Sequence, residues 1–213
     1  NEAGGIDLQI LGIGRTGHIG FNEPGSGSAS PTRLITLDHL TRTDAASDFY
    51  GEDFVPLKAI TMGVGTILKS KRILLMAWGE NKAAIIRKAV EGPLTDQVPT
   101  SWLQQHPNTQ IILDRAAAAD LTRIKTPWVT GNVIWTDRLI RKAVLWLCNK
   151  TGKAILKLTD RDYLDNGMSE LITLEGSSNK VNIKVFNDLQ HTITGWPGGK
   201  PDADDSTRPE RAL

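Results

Sequence analysis

Apolar positions in the first 123 residues fall into short compact runs, separated by polar stretches and by segments with helical spacing. Asp7 to Gly14 is a compact apolar run bounded by glycines, which predicts a strand buried on both faces. A polar Gly/Ser/Pro-rich loop extends from Arg15 to Thr32, and Arg33 to Leu37 reads as a second, short strand. Thr41 to Tyr50 has helical character, with Asp44 three residues after Thr41 as in a capping box. Ala59 to Met62 is strand-like, and Gly63-Val-Gly-Thr66 turns into a short helix. Arg72 to Trp78 predicts another buried strand. The helix after it presents Ile85, Ile86, Ala89 and Val90 on one face and stops at Gly92-Pro93. Gln110 to Leu113 and Ala116 to Leu121 add one more strand and helix. Such alternation predicts an α/β fold with a doubly wound, mostly parallel sheet in a Rossmann-like three-layer arrangement.

The pattern changes after residue 123. Thr136 is placed to cap a helix whose Leu139, Ile140, Ala143, Val144 and Leu147 form one stripe. Ala154 to Leu158 has the look of a strand, and Val181 to Leu189 is a weaker apolar segment. From Gly195 to Leu213 the composition is that of a linker, with Trp-Pro-Gly-Gly-Lys-Pro followed by Asp-Ala-Asp-Asp. The expected organisation is therefore an α/β domain over 1–123, a C-terminal helical extension over 124–194 that includes a strand (α/β) and packs on it, and a linker over 195–213 that leads to a possible further domain. Asn1 is not an initiator methionine and opens a polar stretch that runs at once into a strand, so the chain reads as a piece whose beginning lies upstream.

Composition narrows the function. Lys and Arg number 25 and Asp and Glu 24, a net charge of +1 that provides no basic footprint for nucleic acid. No apolar run is long enough to span a bilayer. The single cysteine, Cys148, rules out an internal disulfide, suits a reducing, cytoplasmic compartment, and sits in a helical pattern where it reads as a small buried apolar residue.

Gly12-Ile-Gly14-Arg-Thr-Gly17 matches a dinucleotide fingerprint directly after a strand, and Asp38 follows at the distance of a ribose-binding acid. The reading fails because the motif has to open a helix whose N-terminus receives the pyrophosphate. Here Pro24-Gly25-Ser26-Gly27-Ser28 arrives within a few residues and leaves no room for one. No cofactor and no metal is expected. His191 has no second ligand at zinc spacing, so a structural role is preferred for it.

What the loop does hold is Gly17-His18-Ile-Gly-Phe-Asn22-Glu23-Pro24, beyond the carboxyl end of a strand, where open parallel sheets place their ligands. His18 is suited to proton transfer near neutral pH, and Glu23 to orienting its ring. The competing reading is a loop histidine bonded to local backbone.

Residues 11–24, Leu-Gly-Ile-Gly-Arg-Thr-Gly-His-Ile-Gly-Phe-Asn-Glu-Pro, closely resemble the signature of glucosamine-6-phosphate deaminases. The similarity continues through Ala59-Ile-Thr-Met-Gly-Val-Gly-Thr66, Gly79-Glu-Asn-Lys82, Val90-Glu-Gly92 and Gln105-His-Pro107, and covers roughly residues 6–122. The part after 123 resembles the extension of larger bacterial relatives. The resemblance implies conversion of glucosamine 6-phosphate and water to fructose 6-phosphate and ammonia, with ring opening, transfer of a proton from C2 towards C1, and release of the amine. It implies His18 as the ring-opening residue, supported by Glu23 and by the residue at Thr16. Substrate contacts would come from Lys82 at the phosphate and from the backbone around Gly17, Gly63 and Gly65. A solvated lysine and a plain strand-to-helix turn remain the alternatives for Lys82 and for Gly63-Val-Gly65.

Three departures bear on activity. Thr16 stands where relatives carry aspartate or asparagine, and Asp48 where they place a phosphate-binding arginine. The Gly/Ser phosphate loop and the base that relatives carry upstream lie outside this chain, so residues 1–213 alone are expected to be inactive. Arg33 matches an arginine of the activator site in allosteric relatives, but the lysine two positions on is Ile35 here. A 6-phosphogluconolactonase-like hydrolase and a non-catalytic sugar-phosphate-binding domain are the competing functions. The expected partner is a small amino-sugar phosphate, with self-association into a homo-oligomer open.

Overall fold

The computed structural model describes residues 4–194. The chain divides into two compact units, Asn1–Lys125 and Thr126–Leu213. The expected linker at 195–213 lies outside the described residues.

In the first unit β1 (Leu8–Leu11), β4 (Arg72–Ala77) and β5 (Thr109–Leu113) form a parallel sheet in the order β1-β4-β5, with Leu11 opposite Leu75 and Leu75 opposite Ile111. Parallel neighbours need crossovers, and α3 (Ala83–Glu91) lies on the path from β4 to β5. Ile85, Ile86 and Ala89 of α3 are buried against Leu11, Ile73, Leu75 and Ala77 of the sheet. A nine-residue helix is marginal alone. Burial of its two isoleucines, at about 1.5–3 kcal/mol each, stabilises it. It ends at Gly92, which leaves the helix in an extended conformation and where a Cβ would overlap the Lys88 carbonyl. The other helices of this unit are short: α1 (His39–Ala45), α2 (Val64–Ile67) and α4 (Thr122–Lys125).

The α/β class and the parallel sheet are as expected, but several details differ. The core lies against one sheet face, and on the other Leu8, Ile10 and Ile112 stay about half exposed, so β1 is not buried on both sides. A compact apolar run predicted two-sided burial, and among the described residues only one side has it. β2 (Arg33–Thr36) and β3 (Lys58–Thr61) stay out of the parallel sheet and pair antiparallel with each other as a separate ribbon. Asp38, not Thr41, caps α1, because its carboxylate accepts the Leu40 N–H at 2.8 Å. Ala116–Leu121 forms a run of turns organised by Asp114, whose carboxylate takes the Ala117 N–H at 2.7 Å, and helix appears only at α4.

The second unit is helical across its described residues, with α5 (Asp137–Thr151), α6 (Asp160–Leu164), α7 (Ser169–Glu175) and α8 (Ser178–Thr194). Thr136 caps α5 through the Leu139 N–H, and Gly152 closes it at φ 68°. The expected stripe Ile140, Ala143, Val144 and Leu147 is buried with Tyr163, Met168, Leu171 and Val181, and Trp128 packs on this cluster. Half-buried Cys148 sits beside the stripe, and burial pushes its thiol up. The strand expected at Ala154–Leu158 is instead a 3₁₀ turn at Ile155–Lys157. Ile155 and Leu158 reach one core by their three-residue spacing while Leu156 is exposed, a pattern that alternation on paper cannot separate from a turn. The segment Val181–Leu189 lies within α8.

Candidate functional site

The loop after β1 is polar, yet two residues fix it. Ile19 is fully buried in the sheet core. Asn22 is fully buried too, and its amide donates to the carbonyls of Ile19 (2.9 Å) and Met62 (2.7 Å) while its oxygen accepts from Arg33 Nη1 at 2.9 Å. Each of its polar atoms is thus partnered, which removes the cost of burying them. Gly17 makes the turn at φ 85°, a conformation that favours glycine. Between Gly17 and Asn22 the chain has one course, and it brings His18 and Glu23 together.

His18 Nδ1 lies 3.1 Å from Glu23 Oε2, and the two side chains are only 15% and 12% exposed. Thr16 Oγ1 stands 3.0 Å from Nδ1 and donates to Glu23 Oε2 at 3.2 Å. Glu23 Oε1 accepts from Thr41 Oγ1 at 2.6 Å. Burial pushes the Glu23 carboxyl up, but hydrogen bonds from His18, Thr41 and Thr16 outweigh it and hold the group below its ordinary value. Glu23 is therefore an anion at neutral pH. The far edge of the imidazole rests over Gly14, where any Cβ would overlap the ring. Among the described residues no protein group hydrogen-bonds Nε2.

The structure thus brings Thr16, His18 and Glu23 into one cluster. Lys82, in a 3₁₀ turn ahead of α3, reaches back to the end of β1 and donates to the Ile13 carbonyl at 2.9 Å. The three glycines singled out from the sequence have internal partners. Gly17 donates its N–H to the Gly14 carbonyl, and its own carbonyl accepts both the Thr100 N–H (3.0 Å) and hydroxyl (2.6 Å). Gly63 and Gly65 face the backbone of residues 28–31, where a Cβ on Gly63 would overlap Ser30 and Pro31. Close approach is what requires glycine there, and the approaching group is the chain's own loop.

Two participants escaped the sequence reading. Thr41 comes from a helix 18 residues beyond Glu23, and no local spacing connects the two. Arg15, beside Thr16, forms a two-point ion pair with Asp44 of α1. Asp48, in the 3₁₀ turn after α1, is exposed. His191 is exposed in the last turn of α8. A cleft of about 590 Å³ on the outer side of α3 is lined by Arg87, Lys88, Glu91 and Asp120, but both Glu91 oxygens are taken up by Thr122. Among the described residues no group of three His, Cys, Asp or Glu side chains is placed to hold a metal ion, and no helix is long and apolar enough to cross a membrane. No helix opens at Gly12-x-Gly14-x-x-Gly17, and the next begins at His39.

Comparison with known proteins shows what the chain is similar to. A glucosamine-6-phosphate deaminase-like protein of Bacteroides thetaiotaomicron is 58% identical over 209 residues, 98% of this chain and 32% of its own. The glucosamine-6-phosphate deaminase of Lacticaseibacillus paracasei is 53% identical over 118 residues, 55% of this chain and 50% of its own. The solved structure of a monomeric glucosamine-6-phosphate deaminase, 49% identical, superposes with a TM-score of 0.52 over 54% of this chain and 47% of its own. No family model matches the chain. The chain spans from about a third to half the length of the relatives it matches. On the first relative's likeness along nearly the whole chain, and on the likeness of other deaminases and of a solved one to more than half of it, the chain belongs to the glucosamine-6-phosphate deaminase-like family.

Proposed function

We propose that the whole protein converts glucosamine 6-phosphate and water to fructose 6-phosphate and ammonia, and that this chain supplies its ring-opening machinery. The observation that carries the reading is His18, fixed through Nδ1 by an ionised Glu23 while, among the described residues, no protein group hydrogen-bonds Nε2. A neutral imidazole held in this way can take a proton from the C1 hydroxyl at Nε2 and then give it to the ring oxygen of a pyranose. Glu23 stabilises the imidazolium that forms between the two transfers, as a buried carboxylate does in other triads. Lys82 is the phosphate contact: its ammonium is bound by one neutral carbonyl, which a phosphate dianion replaces with a charge-assisted bond. Thr16 brings a hydroxyl where the resemblance implies aspartate or asparagine, and its proton goes to Glu23. The site therefore holds one carboxylate rather than two. Gly17, Gly63 and Gly65 shape the loop and its surroundings and are not assigned to the sugar.

The test is ammonia release from glucosamine 6-phosphate by the whole protein, with 6-phosphogluconolactone offered in parallel. Ammonia release, lost in His18→Gln, is the expected result. Hydrolysis of the lactone without ammonia, or binding of the sugar phosphate without turnover, would overturn the reading.

A further inference from the structure

Thr41 has no role in the reaction as described, yet its hydroxyl makes the shortest contact in the cluster, 2.6 Å to Glu23 Oε1. Its side chain is buried on α1, and α1 is tied to the same loop a second time by the ion pair between Asp44 and Arg15. Thr41 is therefore presented to Glu23 from a braced element.

Proton accounting shows what it does. A threonine hydroxyl has one proton and two lone pairs, and an ionised carboxylate only accepts. Thr41 gives its proton to Oε1, and Thr16 gives its own to Oε2. The oxygens around His18 Nδ1 are then Thr16 Oγ1 at 3.0 Å, Glu23 Oε2 at 3.1 Å and Thr41 Oγ1 at 3.4 Å, and all three offer lone pairs. Only a protonated Nδ1 satisfies them. We propose that Thr41 is a positioning residue which, by holding Glu23 together with Thr16, fixes His18 as the Nδ1–H tautomer and makes Nε2 the atom that accepts and returns the proton. Thr16 alone does not suffice: it binds the oxygen nearest the ring and leaves Oε1 free to rotate. Nothing about this device requires a second carboxylate, so it works with threonine at position 16.

The inference rests on His18 as the proton-transfer residue, but its test does not need substrate. Histidine labelled with ¹⁵N distinguishes a protonated Nδ1 from a protonated Nε2 by the shifts of the two ring nitrogens. The unsubstituted protein at a pH where His18 is neutral is expected to show the Nδ1–H signature. Thr41→Val, which keeps shape and removes the hydroxyl, is expected to populate the Nε2–H form, and Thr41→Ser to restore the original pattern. In turnover, Thr41→Val should lower kcat by about tenfold, the loss of one hydrogen bond to a charged group, with KM nearly unchanged, and Thr41→Ser should recover it. An Nε2–H signature in the unsubstituted protein overturns the proposal even if Thr41→Val does not fold. So does a folded Thr41→Val whose ring-nitrogen shifts are unchanged. A tautomer that responds as described in a protein that releases no ammonia leaves the positioning role standing and removes the deaminase reading instead.

Discussion

Each unit buries an asparagine completely or nearly so, and the two networks end differently. In the second unit Asn182 is 2% exposed; its oxygen accepts the Tyr163 hydroxyl at 2.7 Å and its amide donates to the Leu158 carbonyl at 2.8 Å. That network closes on itself inside an apolar cluster, and burial pushes the Tyr163 phenol up. In the first unit Asn22 is equally satisfied, but the loop it fixes leads to His18, whose Nδ1 has hydrogen-bonding partners and whose Nε2 has none among the described residues. A closed network specifies a fold. A network that fixes every atom but one prepares that atom for chemistry. By this criterion the proposed site falls in the first unit, and the second supports structure.

Substitutions in the two networks should therefore separate activity from stability. The largest effect is expected from His18→Gln, which should lower kcat by roughly 10²–10⁴-fold while the melting temperature stays close to the original, as read by ammonia release and calorimetry. Next is Leu147→Ala in the second unit. Leu147 is fully buried, and its truncation should destabilise that unit by about 2–5 kcal/mol, measured by urea unfolding, with kcat in the folded protein unchanged. Tyr163→Phe follows, at about 1–3 kcal/mol, because it leaves the Asn182 oxygen buried without a donor. A loss of activity larger than the loss of stability in either of these two would break the division.

The smallest effect concerns acid. Asp162, in the capping box of α6, is held at about 2, below its ordinary 3.8, chiefly by Lys153 and by the Thr159 N–H and hydroxyl. Its folded value lies below its unfolded one, so its contribution is complete above about pH 4 and disappears as pH falls towards 2. Asp162→Asn should cost about 1 kcal/mol at pH 7, the value of a helix cap, and flatten the decline in helical circular dichroism between pH 4 and 2. Glu23 has the same sign, since its carboxyl is also held below its ordinary value.

Much of this was legible in the sequence for a definite physical reason. The stripe Ile140, Ala143, Val144 and Leu147 and the Thr136 cap are local, periodic signals, and α5 follows them closely. His18 and Glu23 lie five residues apart on one loop, so their meeting needed no knowledge of the rest of the chain. Thr41 and Arg15–Asp44 did need it, because the contacts join segments separated by 18 and 29 residues. Strand partners were hidden likewise: Arg33–Thr36 has the composition of any strand, and only pairing with Lys58–Thr61 shows that it belongs to a ribbon. The glycines at 63 and 65 were visible as glycines, but what approaches them was not.

That approach limits how the loop is able to diverge. At Gly63 and Gly65 two main chains touch without side chains between them, and the Gly65 N–H and the Val64 N–H are both bound by Ser30. An insertion or deletion between Pro24 and Pro31 would shift Ser30 out of register with both donors and press new backbone onto the glycines. Variation in this stretch is thereby restricted to side-chain exchange at constant length. The same holds for the turn opposite it, so a change of backbone length on one side of the seam has to be matched on the other.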